Sequence, residues 1–212
     1  MAHMVPESAI FNVRCARRGR PTYNERMNRP NQKNAPAVRY DGRYLGLHET
    51  DGWEYATRTN ATGVVVIIAV TTDEEVVLVE QYRVPVAARV VELPAGLVGD
   101  QDADETLESA AERELFEETG YRAARLSKLT KCPSSAGMTD EEITFFLAEG
   151  CVRKGDGGGD ASEDITVHTV PLREVDQWLA DAQERGLTYD PKIYAGLYWL
   201  ERRPQLAGMF PG

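Results

Sequence analysis

The chain has 212 residues, 42% of them apolar and 27% charged, with a net charge of −10 and a pI near 4.9. That length suffices for one domain with a well-buried core and a small extra lobe. The acidic balance excludes general affinity for nucleic acid or anionic membrane, but not a small phosphate-bearing substrate, because a bound cation and a few arginines can reverse the local field.

Met1-Ala2-His3-Met4 read as a cloning scar and are set aside. The rest of 1–37 is a locally basic arm, with Arg14, Arg17, Arg18, Arg20, Arg26, Arg29 and Lys33 among many Asn and Pro. It reads as an arm lying loosely on an acidic body, or alternatively as one that closes over an anionic ligand or a partner subunit. Cys15, Cys132 and Cys151 are far apart, odd in number and without a CxxC pair, which suits reduced thiols in a cytoplasmic protein. No apolar run reaches membrane-spanning length, and no secretory signal is visible.

From Val38 the signals become regular. A small β lobe is expected over 38–60, with a turn at Tyr40–Tyr44 and a strand at Trp53–Thr59. The main domain is expected over 61–205. Gly63–Val70 (GVVVIIAV) is continuous and β-branched, as a strand buried on both faces would be. Thr71–Glu75 turns it into a second strand, Val76–Tyr82, and Val90–Leu93 is a short third one leading into Pro94-Ala95-Gly96.

Asp104 is the expected cap of a helix from Glu105 to about Thr119, with Leu107, Ala110, Ala111 and Leu115 on its inner stripe and Gly120 ending it. Strands follow at Leu126–Lys131, Glu142–Glu149 and Ile165–Val170, with a glycine-rich loop at Lys154–Asp160. No helix follows that glycine run, so it does not read as a phosphate loop. An amphipathic helix is expected over Leu172–Glu184, and a last one starts at Asp190-Pro191 and runs to about Arg203. Helices interspersed among more numerous strands imply a mixed sheet covered on both faces.

Chemistry concentrates in the first of these helices. Glu114, Glu117 and Glu118 stand at i, i+3 and i+4 and therefore share one face. Three like charges on one face repel, and a hard divalent cation with oxygen ligands is the natural compensation. The full spacing is G-x5-E-x7-R-E-U-x-E-E-x-G-U, with U a bulky apolar residue, and Gly99, Glu105, Arg113, Glu114, Leu115, Glu117, Glu118, Gly120 and Tyr121 fill it. This is the pattern of the Nudix box, and the chain resembles a Nudix hydrolase over roughly residues 40 to 200. The resemblance implies an αβα sandwich around a mixed sheet, preceded by a small β lobe.

The resemblance also implies roles. Glu114, Glu117 and Glu118 would bind Mg2+ or Mn2+, with the Ala95 carbonyl as a further ligand. Gly99, Glu105 and Arg113 would support the box, Arg113 by reaching Glu105 or the neighbouring loop. The segment CPSSAGMTDEEITFFLAEG is similar to a loop of ADP-ribose pyrophosphatases whose last acid activates water or binds metal. It puts Glu141 forward as the base, alongside Glu117 as a catalytic acid residue of the box. Glu142 is the alternative base if the register slips by one.

Three flanking motifs resemble the same branch: Trp53-Glu54 with Arg58, Gln81-Tyr82-Arg83 before Pro85, and Glu92-Leu93-Pro94-Ala95-Gly96. By that likeness Trp53 stacks on a base, Arg83 reaches phosphate, and Glu54, Arg58, Gly96 and Met138 complete the substrate-binding set. Two departures leave the sugar open. Gly99, not Gly96, holds the first box position, which lengthens the loop by three residues, and Pro133 comes only twelve residues after Tyr121. The implied activity is hydrolysis of ADP-ribose to AMP and ribose 5-phosphate, with other ADP- or GDP-sugars, or a non-catalytic ADP-ribose sensor, as alternatives. Relatives pair through the β lobe, so a homodimer is implied.

Overall fold

The computed structural model describes residues 35–159 and 164–203. All described elements fall in the second of two compact units, Pro36–Gly212. Residues 1–34 of the basic arm, with Cys15, lie outside the described residues, as do residues 160–163, 204 and 205 of the expected main domain; Ala37, expected to end the arm, already opens the first strand.

Two sheets carry the structure. The smaller is antiparallel, of strands β1 (Ala37–Asp41), β2 (Leu45–Thr50) and β3 (Trp53–Arg58), joined by the turn expected after Tyr40. The larger has nine strands. At its centre β4 (Gly63–Thr71) pairs in parallel with β10 (Glu142–Arg153). On its other side β4 is antiparallel first to β7 (Ala95–Val98) and then to β5 (Glu75–Arg83). Next come β6 (Ala88–Glu92) and β11 (Thr166–Pro171) on β5, β9 (Arg125–Pro133) and β8 (Tyr121–Arg122) on β10, and β12 (Thr188–Tyr189) on β6.

Successive side chains of a strand point to opposite faces, and β4 uses both. Val65, Ile67 and Ala69 pack with Ala110, Ala111 and Leu115 of helix α1 (Leu107–Thr119). Val66, Ile68 and Val70 pack with Leu179 of α2 (Val175–Glu184) and with Ile193 and Leu200 of α3 (Lys192–Glu201). Each fully buried Ile or Leu contributes about 1.5–3 kcal/mol, and the sheet is closed by helices on both faces. This is the αβα sandwich with a mixed sheet that the resemblance implied. No described helix is long and apolar enough to cross a membrane.

Some boundaries differ from the sequence reading. Helix α1 is capped by Thr106, not Asp104: Thr106 Oγ1 accepts from the Ser109 amide at 3.1 Å. Residues 102–105 are closed into a turn, Glu105 N–H to Asp102 O at 3.0 Å and Asp104 N–H to Asp102 Oδ1 at 3.1 Å, so the helix cannot start earlier. Residues 95–98, which follow a proline and have the composition of a loop, form β7. A 3-10 turn, Leu172–Glu174, precedes α2. Before α3, Asp190 Oδ1 accepts from the Lys192 amide at 2.7 Å, and the helix begins just after Pro191.

Candidate active site

Helix α1 presents its acids to β7 because its apolar stripe is buried against β4. Along that contact the bare Cα of Gly96 leaves room for the acid: a Cβ there would lie 1.9 Å from Glu114 Cδ. The Ala95 amide donates to Glu118 Oε2 at 3.0 Å, which holds that buried carboxylate against the strand. Gly99, at φ 79°, turns the chain after β7, with Thr62 Oγ1 only 2.8 Å from where its Cβ would be.

Arg113 organises the acidic edge. Its Nε and Nη2 donate to the two oxygens of Glu105 at 2.8 and 3.0 Å, and Nη2 also to Leu97 O at 3.1 Å. Its Nη1 is shared between Glu114 Oε1 at 2.9 Å and Glu117 Oε2 at 3.0 Å. The fork geometry suits arginine alone among the cationic side chains. These partners push the Arg113 pKa up, chiefly through Glu105, whose own carboxyl Arg113 holds below its usual range. Burial pushes the Glu114 carboxyl up to about 7, against the lowering pull of Arg113.

A cleft of about 710 Å³ opens over this edge, and Arg58, Arg83, Ala95, Gly96, Arg113, Glu114, Glu117, Glu118 and Glu141 all line it. A larger cavity of about 930 Å³ lies against α2 and α3 and holds none of the residues singled out from sequence; chemistry, not size, selects the smaller. In the cleft Arg83 Nε donates to Glu92 Oε2 at 2.7 Å, and Arg58 Nε to Glu141 Oε2. The loop carrying Glu141 is stitched to β3: Ala56 N–H donates to Met138 O at 2.9 Å, Asp140 N–H to Ala56 O at 3.3 Å, and Thr57 Oγ1 to Asp140 Oδ2 at 2.9 Å.

Not every residue of the sequence-derived set reaches this cleft. Glu105 lies beneath Arg113. Trp53, 56% exposed, stands on the opposite face of β3 from Arg58, since the two are an odd number of positions apart on a strand. Glu54 pairs with Glu49 on the Arg58 face but outside the cleft, and Met138 is 71% exposed on the loop. Asp100, Ser134, Gly159 and Lys192 line the cleft without having been singled out. Lys192 comes from the start of α3, far along the chain, and no local pattern marks it.

Six carboxylates of the lining (Glu92, Asp100, Glu114, Glu117, Glu118, Glu141) face four cationic side chains (Arg58, Arg83, Arg113, Lys192). Three of those cations are already paired with acids of the cleft. Among the described residues no group of three acidic, His or Cys side chains is drawn together as a ready-made metal cage; Glu114 and Glu117 turn to Arg113, and Glu118 to the Ala95 amide. The donor set is nonetheless all oxygen, carries excess negative charge and sits beside a cleft, which fits a hard divalent cation and not a soft metal.

The NUDIX domain family model matches residues 60–190. A methanol dehydrogenase activator of Bacillus methanolicus is 34% identical over 144 residues, covering 68% of this chain and 75% of its own. An ADP-ribose pyrophosphatase of Bacillus subtilis (strain 168) is 34% identical over 145 residues, with 68% of this chain and 75% of its own covered. A crystal structure of an ADP compounds hydrolase superposes with a TM-score of 0.60 at 19% identity, over 84% of this chain and 99% of that one, a likeness of fold. With the box on α1 and the sandwich around it, the chain belongs to the Nudix hydrolase family.

Proposed function

We propose that the protein hydrolyses the diphosphate of a nucleoside diphosphate sugar, ADP-ribose foremost, with Mg2+ or Mn2+ as cofactor. The observation that supports this most is the convergence on one cleft of the box acids, Arg83 and Glu141, which lie far apart in sequence. Glu114, Glu117, Glu118 and the Ala95 carbonyl would hold the cation. When bound, it supplies neutralisation of the phosphate oxygens and a lowered pKa for the attacking water. Arg83 binds a phosphate oxygen in place of part of its contact with Glu92. Glu141 takes the proton of the water, which adds to one phosphorus as the bond to the bridging oxygen breaks, giving AMP and ribose 5-phosphate. Arg58 orients the Glu141 carboxylate, and the stitching of its loop to β3 limits how far that carboxylate can wander.

Among the described residues no aromatic side chain lines the cleft. In this reading the base stacks on Trp53 of a second copy, which makes the homodimer a functional requirement. The test is a panel of ADP-ribose, ADP-hexose, GDP-hexose and dinucleoside diphosphates with Mg2+, Mn2+ or EDTA, read as phosphate freed by added phosphatase. ADP-ribose is expected to give the highest kcat/KM, and EDTA to abolish turnover. A GDP- or ADP-hexose at the top would replace the substrate, and tight ADP-ribose binding without metal-stimulated turnover would replace the enzyme by a sensor.

A further inference from the structure

The run Lys154-Gly155-Asp156-Gly157-Gly158-Gly159 has the composition of a featureless connector. In the structure it crosses the C-terminal end of α1. Gly158 N–H donates to Glu118 O at 2.7 Å and Gly159 N–H to Glu117 O at 3.0 Å. Lys154 and Gly155 N–H groups donate to Gly120 O at 2.7 and 3.0 Å. The last four carbonyls of a helix have no partner inside it, and here those of the two adjacent acidic residues are taken by this loop.

The fit admits only glycine where the backbones meet. A Cβ on Gly157 would lie 2.3 Å from Thr119 C, and one on Gly120 would lie 2.2 Å from Gly155 O. Both obstacles are backbone, so no side chain can swing aside. Gly157, Gly158 and Gly159 have φ of 67°, 104° and 79°, and side chains disfavour all three. The loop is itself held: Arg153 Nε donates to Gly155 O at 3.1 Å and Nη2 to Asp156 O at 2.8 Å. Gly159 also lines the cleft.

A helix C-terminus carries partial negative charge, and cations stabilise it there. Helix α1 places Glu117 and Glu118 at that end with no basic residue in its last turn. Charge and dipole both act to fray the segment that carries these carboxylates. The loop amides supply the positive ends that a lysine or arginine would otherwise provide.

We propose that the glycine run is a clamp, with Gly157, Gly158 and Gly159 as positioning residues that hold Glu117 and Glu118 in register for a divalent cation. The clamp rests on the metal-binding role given to these acids under Proposed function. The test compares the full chain with Gly157→Ala and with a control, Gly186→Ala, which has φ of 87° but open space around it and lies after α2. Mn2+ binding is read by electron paramagnetic resonance, alongside thermal melting.

Gly157→Ala is expected to raise the Mn2+ Kd about 10-fold or more, the scale of losing an outer support of a metal site. It should lower kcat with little change in substrate KM. Gly186→Ala should lower Tm and leave the Mn2+ Kd alone. In the unaltered protein, Mg2+ should slow hydrogen exchange of the peptide spanning 154–159, because a clamp that favours the metal is favoured by it. That measurement holds even where Gly157→Ala fails to fold. An unchanged Mn2+ Kd in folded Gly157→Ala, or exchange indifferent to Mg2+ in protein that binds it, overturns the clamp alone. No Mn2+ binding by the unaltered protein overturns the metal reading and the clamp with it.

Discussion

An alanine at position 96 would set its Cβ 1.9 Å from Glu114 Cδ and 2.0 Å from Oε1. Ordinary carbon contacts are about 3.5–4.0 Å, so the carboxylate must retreat by about 1.5–2 Å. The atoms struck are the far end of a flexible side chain, and the backbone of β7 need not move. The folded state loses the Arg113 Nη1–Glu114 Oε1 bond of 2.9 Å, a charged contact of about 1.5–3 kcal/mol. The Glu114 carboxyl regains hydration as it leaves the burial that pushes its pKa to about 7, and a net cost of about 1–2 kcal/mol follows. For a chain of this size that lowers Tm by about 2–8 °C. Turnover is far more sensitive, since a 1 Å misplacement in an active site costs about 100-fold. The assay is kcat on ADP-ribose with saturating Mg2+, beside a calorimetric melt. A Gly96→Ala protein with near-normal kcat would refute the reasoning, because it would show that the position of Glu114 does not matter to the reaction.

Glu117 has a side chain 46% exposed, so Glu117→Gln should change stability within about 0.5 kcal/mol while lowering kcat by more than the roughly 10- to 100-fold lost with a residue that only supports a metal ligand; equal loss of both in urea titration and turnover would make it a structural residue. Trp53→Ala should raise KM for ADP-ribose about 5- to 150-fold, from a stack of about 1–3 kcal/mol, and only if light scattering finds a dimer; an unchanged KM removes Trp53 from the site. Away from the cleft, burial pushes the Glu80 carboxyl up, but hydrogen bonds from Arg89 and His168 and their charges prevail and hold it below 4.5. Its contribution to stability is therefore complete above the unfolded value and is lost as pH falls through the lower folded one. Urea midpoints measured from pH 7 downward should fall more gently below about pH 4.5 in Glu80→Gln than in the parent, and identical slopes would rule Glu80 out as a source of the acid sensitivity.

Much of this was legible along the chain. The continuous apolar run at Gly63–Val70 marks a strand buried on both faces, and the structure has α1 on one side of it and α2 and α3 on the other. The box acids and Arg113 sit within one helical segment, so their common edge follows from helix geometry alone. Asp104 and Thr106 are both good caps by residue type, and only the turn at 102–105 decides between them in favour of Thr106. Pro94-Ala95-Gly96 has the composition of a loop, yet residues 95–98 form a strand because Gly63–Val66 of β4 are left unpaired by β5 and take them.

What the sequence alone determined is local: which residues form the acidic helix, which face it buries, and which chemistry three adjacent carboxylates invite. These follow from spacings of a few residues, over which helix and strand geometry is rigid. The tertiary structure decided what no spacing contains. It brought Glu141 to Arg58 and laid a glycine run on the carbonyls of Glu117 and Glu118. Those contacts join residues up to 83 positions apart, and across such separations only the packing of the sheet and its connections sets who meets whom.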